Sequence, residues 1–330
     1  MKILAVNLSH HSSITQVTDG KIDFHIDETR VRRDKYWHPF RHDCFYQSIH
    51  NLQDKEFDAV IFCTVDRKFH TWNDPKDCLF VGSDEFPVIE NIKKQIPNNK
   101  NKFYIDLTQH HLYHAICGHS FSKNDESIVI VMDGGGGQLV PTYREIESIY
   151  VIKDNEISEK WKHYSCMRAN GQVQISGFKS IHNKDLEFVN EGVDIRLSDD
   201  ESDGYKFSEM CFIMDLPLMG EGNVMGVSAY GNKNYKNKPI DLLSHADRAL
   251  KLQDETFSHT VELIEKAISY SDCKNIVLSG GYALNCVNNY RYLDVFPNHN
   301  FFVDPCSNDG GTSIGAALWL DKNYGKIKWQ

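Results

Sequence analysis

The chain has no Cys-X-X-Cys pair; its nine cysteines are scattered, and several (Cys63, Cys117, Cys286) lie inside apolar runs. That excludes a zinc knuckle, argues against a disulfide framework and fits buried free thiols in a reducing cytosol. No uninterrupted apolar run approaches the roughly 20 residues that a membrane helix needs, and Met1-Lys2-Ile3-Leu4-Ala5-Val6 leads into strand-like sequence without a signal peptide. A cytoplasmic protein with no membrane association is expected. Basic residues are outnumbered, with 36 Lys and Arg against 46 Asp and Glu. The formal net charge of -10 weighs against a general binder of nucleic acid or anionic membranes, while leaving room for a local basic patch. Neither a Walker loop nor a dinucleotide fingerprint is present, which excludes a P-loop NTPase and a Rossmann dehydrogenase.

What is present is an ordinary globular composition: 330 residues, 41% hydrophobic and 25% charged, enough for one large domain or two smaller ones. Residues 2–7 read as a buried strand, followed by a polar loop over 8–13 and a second strand over 14–18. Asp19-Gly20 is a hairpin signal, and residues 21–27 alternate as a third strand should. Strands are expected over 58–64 and 102–106, helices over 44–52 and 89–95, and irregular structure over 66–88. The opening pattern then recurs, with a strand over 127–132, a glycine-rich loop over 133–137, and strands over 142–152 and 156–163 around Asp154-Asn155. Strand, polar or glycine-rich loop, then hairpin, occurring twice, indicates a duplicated α/β unit. Two ribonuclease-H-like lobes, residues 1–125 and 126–330, facing each other across a nucleotide cleft, are the layout of the actin, sugar-kinase and heat-shock ATPase class. That is the expected fold, by analogy.

Composition shifts over 164–210, which reads as an insertion whose acidic run 197–204 is either a lid or a passive surface loop. A helix is predicted over 254–270 with Phe257, Val261, Ile264 and Ile268 on one face. A strand over 275–279 ends in Gly280-Gly281; a helix start, a last strand and a closing helix follow over 282–287, 301–303 and 313–320.

The chemistry centres on Thr108-Gln109-His110-His111-Leu112-Tyr113-His114-Ala115. On a helix, His110 and His114 share a face and present two imidazoles to one point, a common way to supply two metal ligands. The same spacing also occurs on plain helix faces. Three glycine-bearing loops follow strands, at residues 133–137, 280–281 and 309–311, where backbone N–H groups can approach an anion closely. Together they point to a nucleotide with its phosphates across the cleft. Asp309 could complete a metal site begun by the two histidines, or simply cap a helix. Mixed nitrogen and oxygen ligation suits iron(II), manganese or zinc. The basic, aromatic run 30–42 could hold an anion or a nucleic-acid backbone, or form a solvated loop.

Several blocks resemble the O-carbamoyltransferase family of nodulation and antibiotic-tailoring enzymes. They are His110-His111-Leu112-Tyr113-His114-Ala115, Gly222-Asn223-Val224-Met225-Gly226, Leu278-Ser279-Gly280-Gly281-Tyr282-Ala283-Leu284-Asn285 and Asn308-Asp309-Gly310-Gly311-Thr312. Ser9-His10-His11-Ser12-Ser13 and Asp27-Glu28 with Arg32-Arg33 match its opening block. The catalytic domain of that family resembles the tRNA threonylcarbamoyl-transferring enzyme. The resemblance implies transfer of a carbamoyl group from carbamoyl adenylate, formed from carbamoyl phosphate and ATP, to a hydroxyl acceptor. It assigns His110, His114 and Asp309 to a metal, iron(II) first among the candidates, and His11 to the active site as a base for the acceptor's proton. Asp133, Gly134, Gly135, Gly136, Gly280, Gly281 and Gly310 would cradle the nucleotide, with Asn285 nearby.

The chain departs from the family where Ser12 replaces an aspartate, Asn223 replaces a lysine, and Gly137-Gln138 stand where an acidic residue usually follows the glycine loop. The family also carries a C-terminal domain that makes the adenylate, and this chain ends about where that domain would begin. A separate adenylate-forming protein is therefore an expected partner. The acceptor could be a small molecule, a sugar, or a hydroxymethylated nucleotide or DNA base; nucleic acid is disfavoured by the acidic total. The alternatives are a tRNA threonylcarbamoyl-type transferase and a nucleotide-binding module without turnover.

Overall fold

The computed structural model describes residues 1–9, 11–33, 56–63, 87–96, 102–106, 108–140, 143–166, 185–217 and 219–327. Lys2–Asn7 forms β1, whose Ile3, Leu4, Ala5 and Val6 are all buried, as a strand covered on both faces requires. Ser13–Thr18 (β2) and Lys21–Asp27 (β3) follow, joined through Asp19 and Gly20 at φ 47 and 74 degrees. Positive φ at both turn residues matches strand twist, which is why Asp-Gly serves there. The Asp27 side chain caps the short helix α1 (Glu28–Arg32). Ala59–Cys63 (β4), helix α2 (Pro87–Gln95) and Lys102–Asp106 (β5) complete the first unit. Its sheet runs β3-β2-β1-β4-β5, antiparallel through β1 and parallel beyond it.

The second sheet contains β6 (Glu126–Met132), β7 (Gln138–Val140), β8 (Tyr143–Lys153), β9 (Glu156–Cys166), β10 (Leu186–Asn190), β11 (Val193–Ser198), β12 (Asn275–Ser279) and β13 (Asn300–Val303). Its order is β10-β11-β9-β8-β6-β12-β13, with β7 on β8. The run β9-β8-β6-β12-β13 repeats the order and strand directions of β3-β2-β1-β4-β5. The duplication expected from the repeated loop-and-hairpin pattern is therefore present as topology.

The further α-helices among the described residues are α3 (His110–Ser122), α4 (Asp203–Ile213), α5 (Glu221–Ser228), α6 (His245–Ser269), α7 (Cys286–Val295) and α8 (Thr312–Asn323). α3 and α8 pack on each other between the two sheets. Strand alternation decides what they meet. Ile3 and Ala5 face Tyr113, Ala316, Ala317 and Leu320, whereas Leu4 and Val6 face the core that includes Ile89 and Ile92 of α2. Val129, Val131 and Val277 meet Ala115, while Ile128, Ile130, Ile276 and Leu278 face the outer core with α4–α7. Truncating the fully buried Leu320 to alanine would cost about 2–5 kcal/mol. The crossing of α3 and α8 depends on glycine: a Cβ on Gly315 would stand 1.9 Å from the carbonyl oxygen of Tyr113.

Some elements differ from expectation. On the far side of residues 167–184, which lie outside the described residues, β10 and β11 extend the second sheet, with β11 parallel to β9. The acidic run 197–204 is no loop throughout: it closes β11 and opens α4, with Ser202 as N-cap accepting from Tyr205 N–H. α6 begins at His245 rather than residue 254, because Ser244 caps it by accepting from Asp247 N–H. Its Phe257, Val261, Ile264 and Ile268 pack on the outer core as predicted. Cys63 and Cys117 are buried free thiols, but Cys286 is exposed at the start of α7. The predicted helix 44–52 and most of the basic run 30–42 lie outside the described residues. No helix among the described residues is long and apolar enough to cross a membrane.

Candidate metal centre

The chain enters α3 through a polar turn. Asp106 at the end of β5 accepts from the Thr108 amide at 2.8 Å and hydroxyl at 2.9 Å, and the Tyr113 hydroxyl donates to its other oxygen at 2.5 Å. This fixes the first turn of α3, where His110, His111 and His114 are 0–2% exposed. The helical spacing brings His110 Nε2 and His114 Nε2 to 3.2 Å. Asp309 is delivered from the other end of the chain by a turn before α8, in which the Asn308 side chain accepts from Gly310 N–H at 3.0 Å. Its Oδ1 lies 3.7 Å from His110 Nε2 and 3.9 Å from His114 Nε2.

A fourth residue joins them. Asp133, at the end of β6, places Oδ2 at 3.2 Å from His110 Nε2, while its Oδ1 accepts from Gly281 N–H at 3.2 Å. One donor atom from each of His110, His114, Asp133 and Asp309 lies within 4.8 Å of the others, and all four residues are buried. Ligands about 2.1 Å from one ion stand roughly 3–4.2 Å apart, so this spacing fits a single transition metal. Two imidazole nitrogens converging in a buried site, with two carboxylates for charge balance, is a donor set that such an ion would stabilise.

The electrostatics agree. Burial opposes ionisation of Asp133, but the hydrogen bond and charge of His110, with help from His114 and His111, hold its carboxyl well below the usual range. His110 is raised: burial lowers it, yet Asp309 and Asp133 outweigh that. Burial and the adjoining His110 push His114 down to about 3, keeping it a neutral donor. His111 points away from this group. Its Nδ1 lies 2.9 Å from Ser148 Oγ, which donates to Glu145 Oε1 at 2.5 Å, and Lys162 Nζ meets that same oxygen at 3.3 Å.

The glycine loops converge on the same region. A Cβ on Gly280 would stand 2.3 Å from the Met132 carbonyl oxygen, and its φ of 88 degrees suits glycine alone. That close approach sets Gly281 beside Asp133. Gly136 is pressed on His111, where a Cβ would lie 2.6 Å from Nε2. Gly134 accepts from the Ser202 hydroxyl at 3.0 Å, and the intermediate Gly135 and buried Gly310 lie on the loops after β6 and before α8. His11 sits in the β1–β2 loop. Asn7 Nδ2 ties it to the centre by donating to His11 O at 2.9 Å and to Asp309 O at 2.8 Å. Asn285 is the N-cap of α7, accepting from Asn288 N–H at 3.2 Å and from Gln253 Nε2 at 2.8 Å. Those bonds build the side chain into a helix-end network, while its Nδ2 is buried without a hydrogen-bond partner among the described residues.

Sequence reasoning placed Asp133 with the phosphate loop and did not anticipate its approach to His110, although an aspartate closing a buried strand was the available signal. Asn7 was missed because its two partners are a nearby loop and a residue at the far end of the chain.

Comparison with known proteins identifies the family and the fold. The family profile of the carbamoyltransferase N-terminus matches residues 2–318. Nodulation protein NolNO of Sinorhizobium fredii is 20% identical over 345 aligned residues, covering 96% of this chain and 47% of that protein. An uncharacterized protein of Synechocystis, sll1178, is 24% identical over 234 residues, 66% of this chain and 37% of that protein. The chain thus spans less than half the length of these curated relatives. Among solved structures, full-length HypF in its phosphate- and nucleotide-bound form superposes with a TM-score of 0.58 at 12% identity, over 100% of this chain and 56% of HypF. With the repeated sheet order, this places the fold in the actin, sugar-kinase and heat-shock ATPase class. By its profile match, its relative NolNO and its architecture, the chain belongs to the carbamoyltransferase family, matching that family's N-terminal region.

Proposed function

We propose that this chain performs the transfer step of an O-carbamoyltransferase, taking carbamoyl from carbamoyl adenylate to a hydroxyl on a small molecule, a sugar or a hydroxymethylated nucleotide or base. The observation that carries the reading is the convergence of His110, His114, Asp133 and Asp309 beside the glycine-bearing ends of β6 and β12. Those residues would hold a divalent transition metal, iron(II), manganese or zinc, which when bound supplies Lewis-acid neutralisation of phosphate charge. The chain's own groups do the rest. The glycine-bearing loops at residues 133–136, 280–281 and 310 leave room for the adenylate's phosphate and adenosine to approach the backbone. His11, tethered through Asn7 to the Asp309 loop, takes the acceptor's proton. A C–O bond then forms between the acceptor oxygen and the carbamoyl carbon, the bond from that carbon to the phosphate oxygen breaks, and AMP leaves with the electron pair. The adenylate comes from a separate adenylate-forming protein or domain.

The test is transfer from synthetic carbamoyl adenylate to a panel of sugar and nucleoside alcohols. Alcohol-dependent AMP release with a carbamoylated product is expected, and carbamoyl phosphate plus ATP alone should not suffice. AMP release that no alcohol accelerates would contradict the reading.

A further inference from the structure

Behind the metal centre lies a second cluster of a different character. Glu147 on β8, Asp203 at the start of α4 and His259 on α6 also bring donor atoms within 4.8 Å of one another. Here, however, both imidazole nitrogens face oxygen: His259 Nδ1 is 2.8 Å from Asp203 Oδ2, and Nε2 is 3.5 Å from Glu147 Oε1. Lys206 Nζ meets Asp203 Oδ1 at 2.9 Å, and His163 Nδ1 meets Glu147 Oε2 at 3.0 Å. Two carboxylates are balanced by an imidazolium and an ammonium, so the cluster satisfies itself without an ion. In the metal centre, by contrast, His114 Nε2 is turned toward His110 Nε2 at 3.2 Å, and only His110 also has a carboxylate oxygen, Asp133 Oδ2, at that distance. The contacts link β8, α4 and α6 through two buried carboxylates and an imidazole that is 31% exposed.

What this link holds is the backbone behind Asp133. The residues flanking Asp203 both touch it: Ser202 Oγ donates to Gly134 O at 3.0 Å, and a Cβ on Gly204 would stand 3.2 Å from Gly134 N and 3.5 Å from Asp133 C. The first turn of α4 is thus seated on the peptide from which Asp133 reaches toward His110. A Cβ at 204 would be a tight fit, and the loop would have to give by a few tenths of an ångström to take it.

We propose that Glu147, His259 and Asp203 form a positioning device for the metal centre, clamping the start of α4 on Gly134 and thereby fixing the direction of the Asp133 carboxylate. The inference rests on reading His110, His114, Asp133 and Asp309 as metal ligands. None of the three touches that group; each acts through the loop.

The experiment uses the full chain and the variants His259→Gln and Asp203→Asn. Tyr270→Phe serves as control, because it removes a hydroxyl that the end of α6 donates to Asp194 on β11, away from the loop. Zn(II) affinity is measured by competition with a chromophoric chelator, and amide hydrogen exchange at residues 134–137 is followed without metal. Both variants should bind Zn(II) about tenfold more weakly, the lower end of the effect of losing an outer-shell partner. Both should exchange several-fold faster at those amides, and Tyr270→Phe should do neither. Unchanged exchange in both variants, or an equal change in Tyr270→Phe, overturns the proposal. So does a second Zn(II) equivalent that Asp203→Asn abolishes, since the cluster would then be a metal site. If the unaltered chain binds no Zn(II), the metal reading falls, and the exchange comparison alone decides the clamp.

Discussion

Gly315→Ala sets packing against intrinsic helix preference. On an open helix the change stabilises, since alanine is favoured over glycine by about 1 kcal/mol in a helix interior. At this position the added Cβ would lie 1.9 Å from the Tyr113 oxygen, 2.6 Å from its carbonyl carbon and 2.7 Å from its Cα. Ordinary contact starts near 3.4 Å, so α3 and α8 must part by about 1.5 Å. All three neighbours are backbone, and no side chain can swing aside. Overpacking of this kind costs about 1–3 kcal/mol, and a backbone clash this close lies at the upper end, so a net loss of up to about 2 kcal/mol is expected after the propensity gain. Tyr113 lies between His110 and His114, whereas Asp309 precedes α8. Parting the helices therefore also separates the imidazoles from that carboxylate. Urea denaturation of the metal-free chain should show a lower midpoint at unchanged slope, and metal titration should show weaker binding. A raised midpoint with unaltered metal affinity would refute the packing argument.

The pH dependence of stability should show two edges. Glu147 is drawn down to about 2 from 4.5, chiefly by the His259 charge and the His163 hydrogen bond working against burial, so its contribution is present above about pH 4.5 and is lost as pH falls toward 2. His259 is raised from 6.5 to about 9 by Glu147 and Asp203, so its contribution is complete below about pH 6.5 and is lost as pH rises through 9. Denaturant midpoints across pH should therefore be highest between those edges. The double variant Glu147→Gln/His259→Gln should flatten both, and a profile identical to the unaltered chain would count against the assignment. His11→Asn should retain adenylate binding by calorimetry but lose at least about 100-fold in transfer, the usual worth of a general base; an unchanged rate removes its role. A maleimide reagent should label Cys286 before Cys63 or Cys117, because only the first is exposed; equal labelling of all three in the native chain would contradict the packing described.

Much of the fold was legible because its signals are local. Asp19-Gly20 and Asp154-Asn155 mark their hairpins by backbone preference, and buried strands such as Lys2–Asn7 and Glu126–Met132 declare themselves as apolar runs. His110 and His114 were readable from helical spacing alone. Asp309 needed the family pattern, because nothing local distinguishes a ligand from a helix cap. Asp133 was assigned to the phosphate loop; its approach to His110 was not legible, since it depends on α3 arriving at the end of β6. The cluster of Glu147, Asp203 and His259 left no trace in spacing: each residue lies on a different element, and only the fold brings them together. β10 and β11 were hidden by the acidic, turn-rich sequence around them, where sheet pairing with β9 overrides local composition.

The central claim is that two imidazoles and two carboxylates from distant parts of the chain hold one ion. Elemental analysis of the purified protein tests it most directly, paired with His110→Ala and Asp309→Ala. The account predicts close to one equivalent of iron, manganese or zinc in the unaltered chain and little in either variant, with helix content preserved by circular dichroism. A folded chain that stays metal-free after incubation with each of those ions, or variants that retain a full equivalent, would contradict it.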